Sequence, residues 1–161
     1  ALALVGLDQL DETLAARRRN YAHLCARLAD VPGLRPLPTT PGVDRGGHFR
    51  FVFHYDREAL HGLDPKRFLE AVHAEGARAV WPGWAARTLC SYRMFQSEED
   101  PLGLFAGARS VYSPGAFPNA SAFSANTLQF PAFTEPAEAI IDAYATAITK
   151  VAEQARALAA R

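Results

Sequence analysis

The sequence predicts an α+β domain in which a small, mainly antiparallel sheet packs against helices, with a long helix at each end. Leucines recur at helical spacing through the first thirty residues, and a second amphipathic pattern runs over 135–159. Between them, aromatic and polar residues alternate through HFRFVFHYD, residues 48–56. A period of two is typical of a strand with one buried face.

The N-terminal helix is predicted over 2–29, and Pro32-Gly33 ends it. Its apolar stripe consists of Leu4, Leu7, Leu10, Leu14, Tyr21, Leu24 and Leu28. Arg17 falls inside this stripe, where a charge is unexpected. Either its stem lies on apolar surface with the guanidinium in water, or it makes a polar contact with an element packed against the helix.

Four strands are predicted, over 34–37, 47–55, 77–81 and 127–130. The second shows the clearest pattern. Its buried row would be Phe49, Phe51, Phe53 and Tyr55, and its polar row would be His48, Arg50, Val52 and His54.

Three further helices are predicted, over 65–75, 119–126 and 135–159. Asp64 would cap the first, with Pro65 at its first position, and Asn119 and Thr134 would cap the other two. The buried face of the last helix would consist of Ile140, Ile141, Tyr144, Ile148, Val151, Ala155 and Leu158.

Charge and composition narrow the possible partners. Among the 161 residues, 17 basic and 17 acidic side chains balance, and a nucleic-acid-binding domain normally carries a basic excess. No apolar run reaches the length of a membrane span, so neither nucleic acid nor a membrane is expected as a partner. Cys25 and Cys90 form no disulfide or metal pattern and are expected to be free thiols in the cytoplasm.

The candidate binding residues are aromatic and cationic, and they occur in two places. His48 and Arg50 share the polar row of the second predicted strand, whereas Trp81, Trp84, Arg87, Tyr92 and Arg93 occupy an irregular segment after the third. The first group suits an anion or a cofactor ring, and the second suits a sugar, a nucleotide or a protein partner. The alternatives are a solvated sheet face for the first group and a loop folded over the core for the second. No metal site is expected, since His48 and His54 are six residues apart on one strand.

The order of these patterns resembles one known family. The helix containing QLDETLAARRRNYAHL is followed by PGL, a proline-rich loop and HFRFVFHYD, and then by the helix ending at Gly76. FPNA at 117–120 and LQFP at 128–131 precede a closing helix. This arrangement over nearly the whole chain resembles the C-terminal region of the DegT/StrS family of sugar aminotransferases.

The resemblance implies a function for a longer parent protein. Family members use pyridoxal phosphate (PLP) to transfer an amino group from glutamate or glutamine to a keto-sugar or a cyclitol ketone, and they usually act as cytoplasmic homodimers. Residues 1–30 would correspond to an interdomain helix and 31–161 to the small domain. The family's cofactor-binding lysine motif has no match here, because Lys66 and Lys150 are the only lysines. The chain alone is therefore expected to lack catalytic residues and to bind no PLP.

Two interpretations follow from the resemblance. The chain is either the C-terminal part of such an aminotransferase, which a start without Met favours, or a free-standing, non-catalytic binding domain derived from its small domain. In both, the first helix is expected to meet a partner, either a missing large domain or a second copy. A small-molecule keto acceptor is expected to lie against the candidate binding residues.

Overall fold

A computed structural model describes residues 2–43, 47–83, 88–92 and 114–160. The predicted α+β class is confirmed: the described part contains six helices and a four-stranded sheet whose neighbouring strands are all antiparallel. The core lies between one face of this sheet and the helices. Its largest members are Phe51, Phe53, Tyr55, Phe68, Phe130, Leu24, Leu28, Ile141 and Ile148.

The predicted first helix consists of two helices, α1 (Leu2–Asp8) and α2 (Leu10–Leu28). The second half of α2 buries Leu24 and Leu28 against the core. Within α1, the described side chains at 3–8 are all exposed: Leu4 is 66% exposed and Leu7 is 63% exposed. The two helices meet at Gln9, where the Gln9 amide still donates to the Val5 carbonyl and the Thr13 amide donates to the Gln9 carbonyl.

The sheet has the strand order β1-β2-β4-β3, with β1 at Leu34–Pro36, β2 at Phe51–Tyr55, β3 at Trp81–Pro82 and β4 at Thr127–Phe130. The two central strands pair in register, with Phe51 opposite Phe130 and Phe53 opposite Leu128. These residues all face the helices and are fully buried, so the alternation in HFRFVFHYD correctly predicted a strand with one buried face.

The predicted strand over 47–55 is too long, and Phe49 is not in the buried row. β2 begins at Phe51, and Phe49 is 78% exposed. The partner strand β4 ends at Phe130 because Pro131 fixes φ near −65° and lacks an N–H. Residues before Phe51 therefore have no partner strand among the described residues, and the chain bends at 49–50.

The predicted strand over 77–81 is also misplaced. Ala77 and Val80 are buried in turns that follow helix α3 (Pro65–Ala74), and β3 is only Trp81–Pro82. The imidazole Nε2 of His73 lies 2.6 Å from the Val80 carbonyl oxygen. Extending the β3–β4 register would require Pro131 to donate a hydrogen bond to residue 79, which a proline cannot do.

The start of α3 was predicted correctly. The Asp64 carboxylate accepts a hydrogen bond from the Lys66 amide at 2.9 Å, and Pro65 occupies the first helical position. The helix buries Phe68 and Val72 against the core.

The two predicted helices at 119–126 and 135–159 begin at other residues than expected: the first starts one residue earlier, and the second starts three residues later. α4 spans Pro118–Ala125, with Phe117 rather than Asn119 as its N-cap. α5 spans Glu138–Glu153, with Ala137 rather than Thr134 as its N-cap, because Pro136 disfavours helical geometry at Glu135. The helical pattern is interrupted at Gln154, whose amide bonds to Val151, and α6 follows at Ala155–Ala159.

The C-terminal helices bury four of the seven residues of the predicted stripe, and Tyr144 and Leu158 are half-buried against the core. Ile141, Ile148, Val151 and Ala155 are buried, whereas Ile140 is 47% exposed. Among the described helices, none is long and apolar enough to cross a membrane.

Candidate functional site

The sheet presents a second face, which we call the polar face, on the side opposite the helix-packed core. Cross-strand partners share a face of a sheet, so the register places Arg35, His54 and Thr127 in one row and Val52, Gln129 and Trp81 in the next. This face therefore brings two candidate regions together. The two regions are the segment with Arg50, which leads into β2, and Trp81 in β3, since both strands belong to this sheet.

Arg50 and Trp81 are in direct contact. The guanidinium carbon of Arg50 lies 5.3 Å from the centroid of the Trp81 ring and 5.6 Å from that of Phe49. These distances are typical of cation–π interactions. Trp81 is 40% exposed, so this cluster offers an aromatic surface and a cation side by side.

His48 lies on the other side of the sheet, and its predicted place beside Arg50 on a polar strand face is wrong. Its ring centroid lies 4.2 Å from that of Tyr21 on α2 and 5.6 Å from that of Phe51. The reason is the late start of β2: outside the strand, His48 no longer follows the strand alternation. The structure therefore separates His48 from the cluster of Arg50 and Trp81.

Arg17 fixes the segment that carries His48. A guanidinium Nη1 of Arg17 donates a hydrogen bond to the His48 carbonyl oxygen at 3.2 Å, which confirms the second of the two roles considered for this residue. The Arg17 Nε is buried and has no hydrogen-bond partner within the described ranges. Arg17 thus ties α2 to the chain that leads into β2.

The remaining candidate residues are only partly described. Tyr92 follows a 3₁₀ turn at Leu89–Ser91 and is 38% exposed, and its amide bonds to the Leu89 carbonyl. Trp84, Arg87 and Arg93 lie outside the described residues. Their predicted part in binding stays a prediction.

Two polar features of the interior had no signal in the sequence analysis. Asn20, only 1% exposed, donates from its side-chain amide to the carbonyl oxygens of Phe133 at 3.1 Å and Glu135 at 2.7 Å. It thereby fixes the segment before α5 against α2. Its position within the apolar stripe of α2, next to Tyr21 and Leu24, is the one clue the sequence offers.

The second feature is a pair of neighbouring polar atoms on the polar face. His54 Nδ1 and Thr127 Oγ1 are both buried, and neither has a hydrogen-bond partner among the described residues. Their relationship depends on the register of β2 against β4, which the sequence alone does not show.

Burial shifts two titratable groups. It raises the pKa of the Tyr55 hydroxyl above its usual range, with a further rise from the Asp64 carboxylate and an opposing effect from Arg57. The Tyr55 hydroxyl donates to the Leu63 carbonyl oxygen at 2.9 Å. Burial also raises the pKa of the Cys25 thiol, opposed by a hydrogen bond with Tyr21. Both groups are thus held in their neutral forms, which suits packing rather than acid–base chemistry.

Both lysines lie on the helical side, away from the polar face. Lys66 is exposed in the first turn of α3. The Lys150 ammonium pairs with the Glu75 carboxylate at 2.6 Å on the surface where α5 meets α3. In the part of the chain that the structure describes, no group of three or more His, Cys, Asp or Glu side chains could hold a metal ion.

Comparison with known proteins relates part of the chain to an aminotransferase. No protein-family model matches the chain. Over 77 residues, 46% of this chain, it is 36% identical to a protein of Micromonospora echinospora named as a putative L-glutamine:3-amino-2,3-dideoxy-scyllo-inosose aminotransferase. The matched stretch spans only 18% of that relative's length.

Proposed function

We propose that this chain is the small-domain part of a PLP-dependent aminotransferase of the DegT/StrS type. The parent protein would transfer an amino group from glutamine or glutamate to a keto-sugar or a cyclitol ketone, as a cytoplasmic homodimer. The observation that carries the proposal is the 36% identity over 77 residues to a protein named as a glutamine:keto-inosose aminotransferase. The order of helices and strands agrees with the same family resemblance.

The residues of this chain do not fit the part of such an enzyme that holds PLP. The cofactor is held through a lysine amine, and such a lysine is activated by a desolvated or cationic environment. Lys66 is exposed on a helix, and Lys150 is an exposed partner of the Glu75 carboxylate. We therefore assign the lysine to another part of the parent protein and assign no step of the cofactor chemistry to this chain.

The role in such an enzyme that suits the residues of this chain is binding of the acceptor. In the contact of Arg50 with Trp81, an exposed indole ring lies beside a guanidinium. A sugar or cyclitol ring has an apolar face that stacks on an aromatic ring, and its hydroxyls accept hydrogen bonds from a guanidinium. Trp84, Arg87, Tyr92 and Arg93 would extend this surface. His48 would act only indirectly, through the packing of the segment before Phe51 on Tyr21.

The exposed face of α1 and the start of α2 would contact the rest of the parent protein. Leu4, Val5, Leu7 and Leu10 are between 43% and 66% exposed, and a contiguous apolar face of this kind usually marks an interface. A second copy of the chain is the alternative partner. Leu14 adds less to this surface than its leucine spacing predicts, because it is half-buried.

The test is an assay of the protein translated from the complete gene. It should aminate a keto-inosose or keto-sugar with glutamine as donor, and the residues outside this chain should contain one lysine that borohydride links to PLP. Trp81→Ala should lower kcat/KM for the acceptor by roughly 5- to 150-fold, as expected for the loss of about 1–3 kcal/mol of stacking. The half-reaction with glutamine should stay unchanged.

A matched control is Ile140→Ala, which truncates another exposed apolar side chain far along the chain on α5. It should change neither half-reaction. Equal loss of both half-reactions in Trp81→Ala would mean that Trp81 is a packing residue. A borohydride-stable adduct on Lys66 or Lys150, or a complete gene product without any PLP, would contradict the proposal and favour the free-standing binding domain.

A further inference from the structure

His73 joins the end of α3 to the peptide group that precedes Trp81. The imidazole Nε2 of His73 donates a hydrogen bond of 2.6 Å to the Val80 carbonyl oxygen, since a carbonyl oxygen can only accept. His73 lies half-buried in the last turn of the helix, and Val80 is completely buried. Because Val80 shares this peptide group with Trp81, the bond acts directly on the residue that contacts Arg50.

No strand of the described sheet satisfies the Val80 carbonyl. β3 is the strand at the edge of the sheet, next to β4. The Gly83 amide donates to the Thr127 carbonyl at 2.9 Å, which makes these two residues a hydrogen-bonded pair of the antiparallel ladder. Since such pairs alternate along a strand, the N–H of Trp81 faces β4 and the carbonyl of Val80 points away from it. His73 therefore provides at this edge the bond that a further strand would provide.

The peptide between Val80 and Trp81 is consequently held at both ends. Its carbonyl accepts from His73, and its N–H faces Gln129 across the ladder. Fixing the plane of a peptide limits φ of the residue that follows it, and Pro82 limits ψ of Trp81 to extended values. With both dihedral angles limited, the direction in which the Trp81 side chain leaves the backbone is set.

The chain between His73 and Val80 is a closed turn. The Gly76 amide donates to the His73 carbonyl at 3.1 Å. The Ala77 amide donates to the Val72 carbonyl, also at 3.1 Å, and the two bonds together form a Schellman motif at the end of α3. Val72 and Ala77 are buried, so packing also holds the start of the turn. Loss of the His73 side-chain bond would therefore release mainly the far end of the turn, where β3 begins.

We propose that His73 is a positioning residue that holds the Trp81 ring beside Arg50 through the Val80 carbonyl. The guanidinium carbon of Arg50 lies 5.3 Å from the centroid of that ring. Since a cation–π contact extends to about 6 Å, a small turn of the peptide before Trp81 would end it. The effect of His73 on the ring is a property of this chain, whereas its effect on acceptor binding rests on the proposed aminotransferase function.

Three substitutions at position 73 separate the hydrogen bond from the rest of the side chain. His73→Gln places an amide N–H at the ε position, where the imidazole Nε2 lies, and so keeps the donor. His73→Asn holds the same amide one bond closer to the backbone, out of reach of the Val80 carbonyl, and His73→Leu removes the donor. We expect His73→Gln to behave as wild type, and the other two variants to behave alike.

The first experiment follows the fluorescence of Trp81 in this chain, with Trp84→Phe as the background so that Trp81 is the only tryptophan. His73→Leu and His73→Asn should shift the emission to longer wavelength and increase quenching by acrylamide, because the ring leaves Arg50. His73→Gln should change neither. Spectra are recorded well below the thermal midpoint of each variant, so that a loss of stability alone does not alter them. Unchanged emission in His73→Leu and His73→Asn, or an equal shift in His73→Gln, would overturn the proposal.

The unaltered protein gives a readout that does not depend on the folding of any variant. A ¹⁵N spectrum recorded at a pH at which the ring is neutral should show the proton of His73 on Nε2 and not on Nδ1, since Nε2 is the donor. The opposite tautomer would exclude the bond to the Val80 carbonyl and contradict the proposal.

The second experiment measures acceptor binding in the protein translated from the complete gene. His73→Leu should lower kcat/KM for the acceptor, mainly through KM, by no more than the roughly 5- to 150-fold expected of Trp81→Ala. The half-reaction with glutamine should stay unchanged. In a Trp81→Ala background, His73→Leu should have no further effect, because it acts through that ring.

The two experiments distinguish the failure of this proposal from that of the proposed function. A loss of the same size from His73→Leu in both backgrounds would show that His73 does not act through Trp81, and would overturn the positioning role. If the fluorescence changes as expected and the complete protein has no aminotransferase activity, the proposed function fails and the positioning of Trp81 by His73 stands.

Discussion

The two faces of the sheet differ in how they are stabilised. On the helix-packed face, Phe51, Phe53 and Tyr55 are completely buried. Phe53 packs edge to face with Phe130, and Tyr55 does so with Phe68. On the polar face, half-buried Val52 and His54 alternate with them. Thr127 is buried there, and its hydroxyl has no partner in the part of the chain that the structure describes. The same strands thus form the hydrophobic core with one face and present candidate binding residues on the other.

Because of this difference, we expect residues on the helix-packed face to determine stability and residues on the polar face to determine binding. Dense aromatic packing makes the helix-packed face intolerant of change, because each removed ring leaves a cavity. The polar face has fewer apolar contacts to lose, so its residues can differ between relatives without unfolding the domain. Substitutions on alternate residues of β2 should therefore give very different results.

The largest expected effect is that of Phe53→Ala. Phe53 is fully buried and contacts Phe130 with 5.3 Å between ring centroids. Its truncation should lower the free energy of unfolding by about 3–5 kcal/mol, measured by urea denaturation. The matched control is Val52→Ala, the next residue on the same strand, which should lose about 1 kcal/mol or less because Val52 is only half-buried. Similar losses for both variants would remove the distinction between the two faces.

The buried row could be predicted from the sequence, and its end could not. Alternation of aromatic and polar residues predicts a strand with one buried face wherever it occurs, so Phe51, Phe53 and Tyr55 were predicted correctly. The place where β2 begins depends on its partner, since β4 stops before Pro131. That dependence is non-local, and it explains why Phe49 and His48 were misplaced.

The candidate site was predictable in composition but not in arrangement. Arg50 and Trp81 were selected because arginine and tryptophan suit ligand binding. Their contact requires β3 to lie beside β4 rather than beside β2, a strand order that no local pattern contains. The unpartnered pair of His54 and Thr127 depends on the same register. The sequence offered no signal for it.

A smaller loss is expected from Gly83→Ala, which tests the tight packing over the polar face. Gly83 lies in ordinary backbone geometry, so the cost arises from contact alone: a Cβ would lie 1.9 Å from Thr127 Oγ1 and 2.9 Å from Thr127 Cβ. Such overpacking should cost about 1–3 kcal/mol in chemical denaturation. Gly62→Ala is unsuitable as a control because its φ is +82°, whereas Gly115→Ala meets no atom within 4 Å and should cost little. If Gly115→Ala lowered the stability and Gly83→Ala did not, the tight packing assigned to Gly83 would be contradicted.

An alkaline pH should weaken the helix-packed face through Tyr55. Because the folded state raises the pKa of this hydroxyl, the unfolded chain loses the proton first, at about pH 10. The unfolded state then binds fewer protons than the folded state, so stability is constant below about pH 10 and falls above it. Tyr55→Phe should cost about 0.5–1.5 kcal/mol at pH 7, from the lost bond to Leu63.

The measurement for Tyr55 is the urea midpoint of both proteins at pH 7 and at pH 10.5. The difference in urea midpoint between wild type and Tyr55→Phe should be smaller at pH 10.5 than at pH 7. Tyr144→Phe is the matched control, since Tyr144 is half-buried against the core and packs edge to face with Phe133. An equal narrowing in Tyr144→Phe would show that the alkaline loss does not come from Tyr55.

The smallest effect is expected from Phe49→Ala, although Phe49 belongs to the same aromatic alternation as Phe53. Its ring is 78% exposed and contacts the Arg50 guanidinium at 5.6 Å. An exposed cation–π contact contributes about 0.5–1 kcal/mol, so the free energy of unfolding should fall by no more than that, against about 3–5 kcal/mol for Phe53→Ala. Trp81→Ala, measured in parallel, removes the other ring beside Arg50 and should cost a similarly small amount. A loss in Phe49→Ala as large as that in Phe53→Ala would mean that the buried row continues past Phe51, and that β2 begins where the alternation of the sequence predicted it.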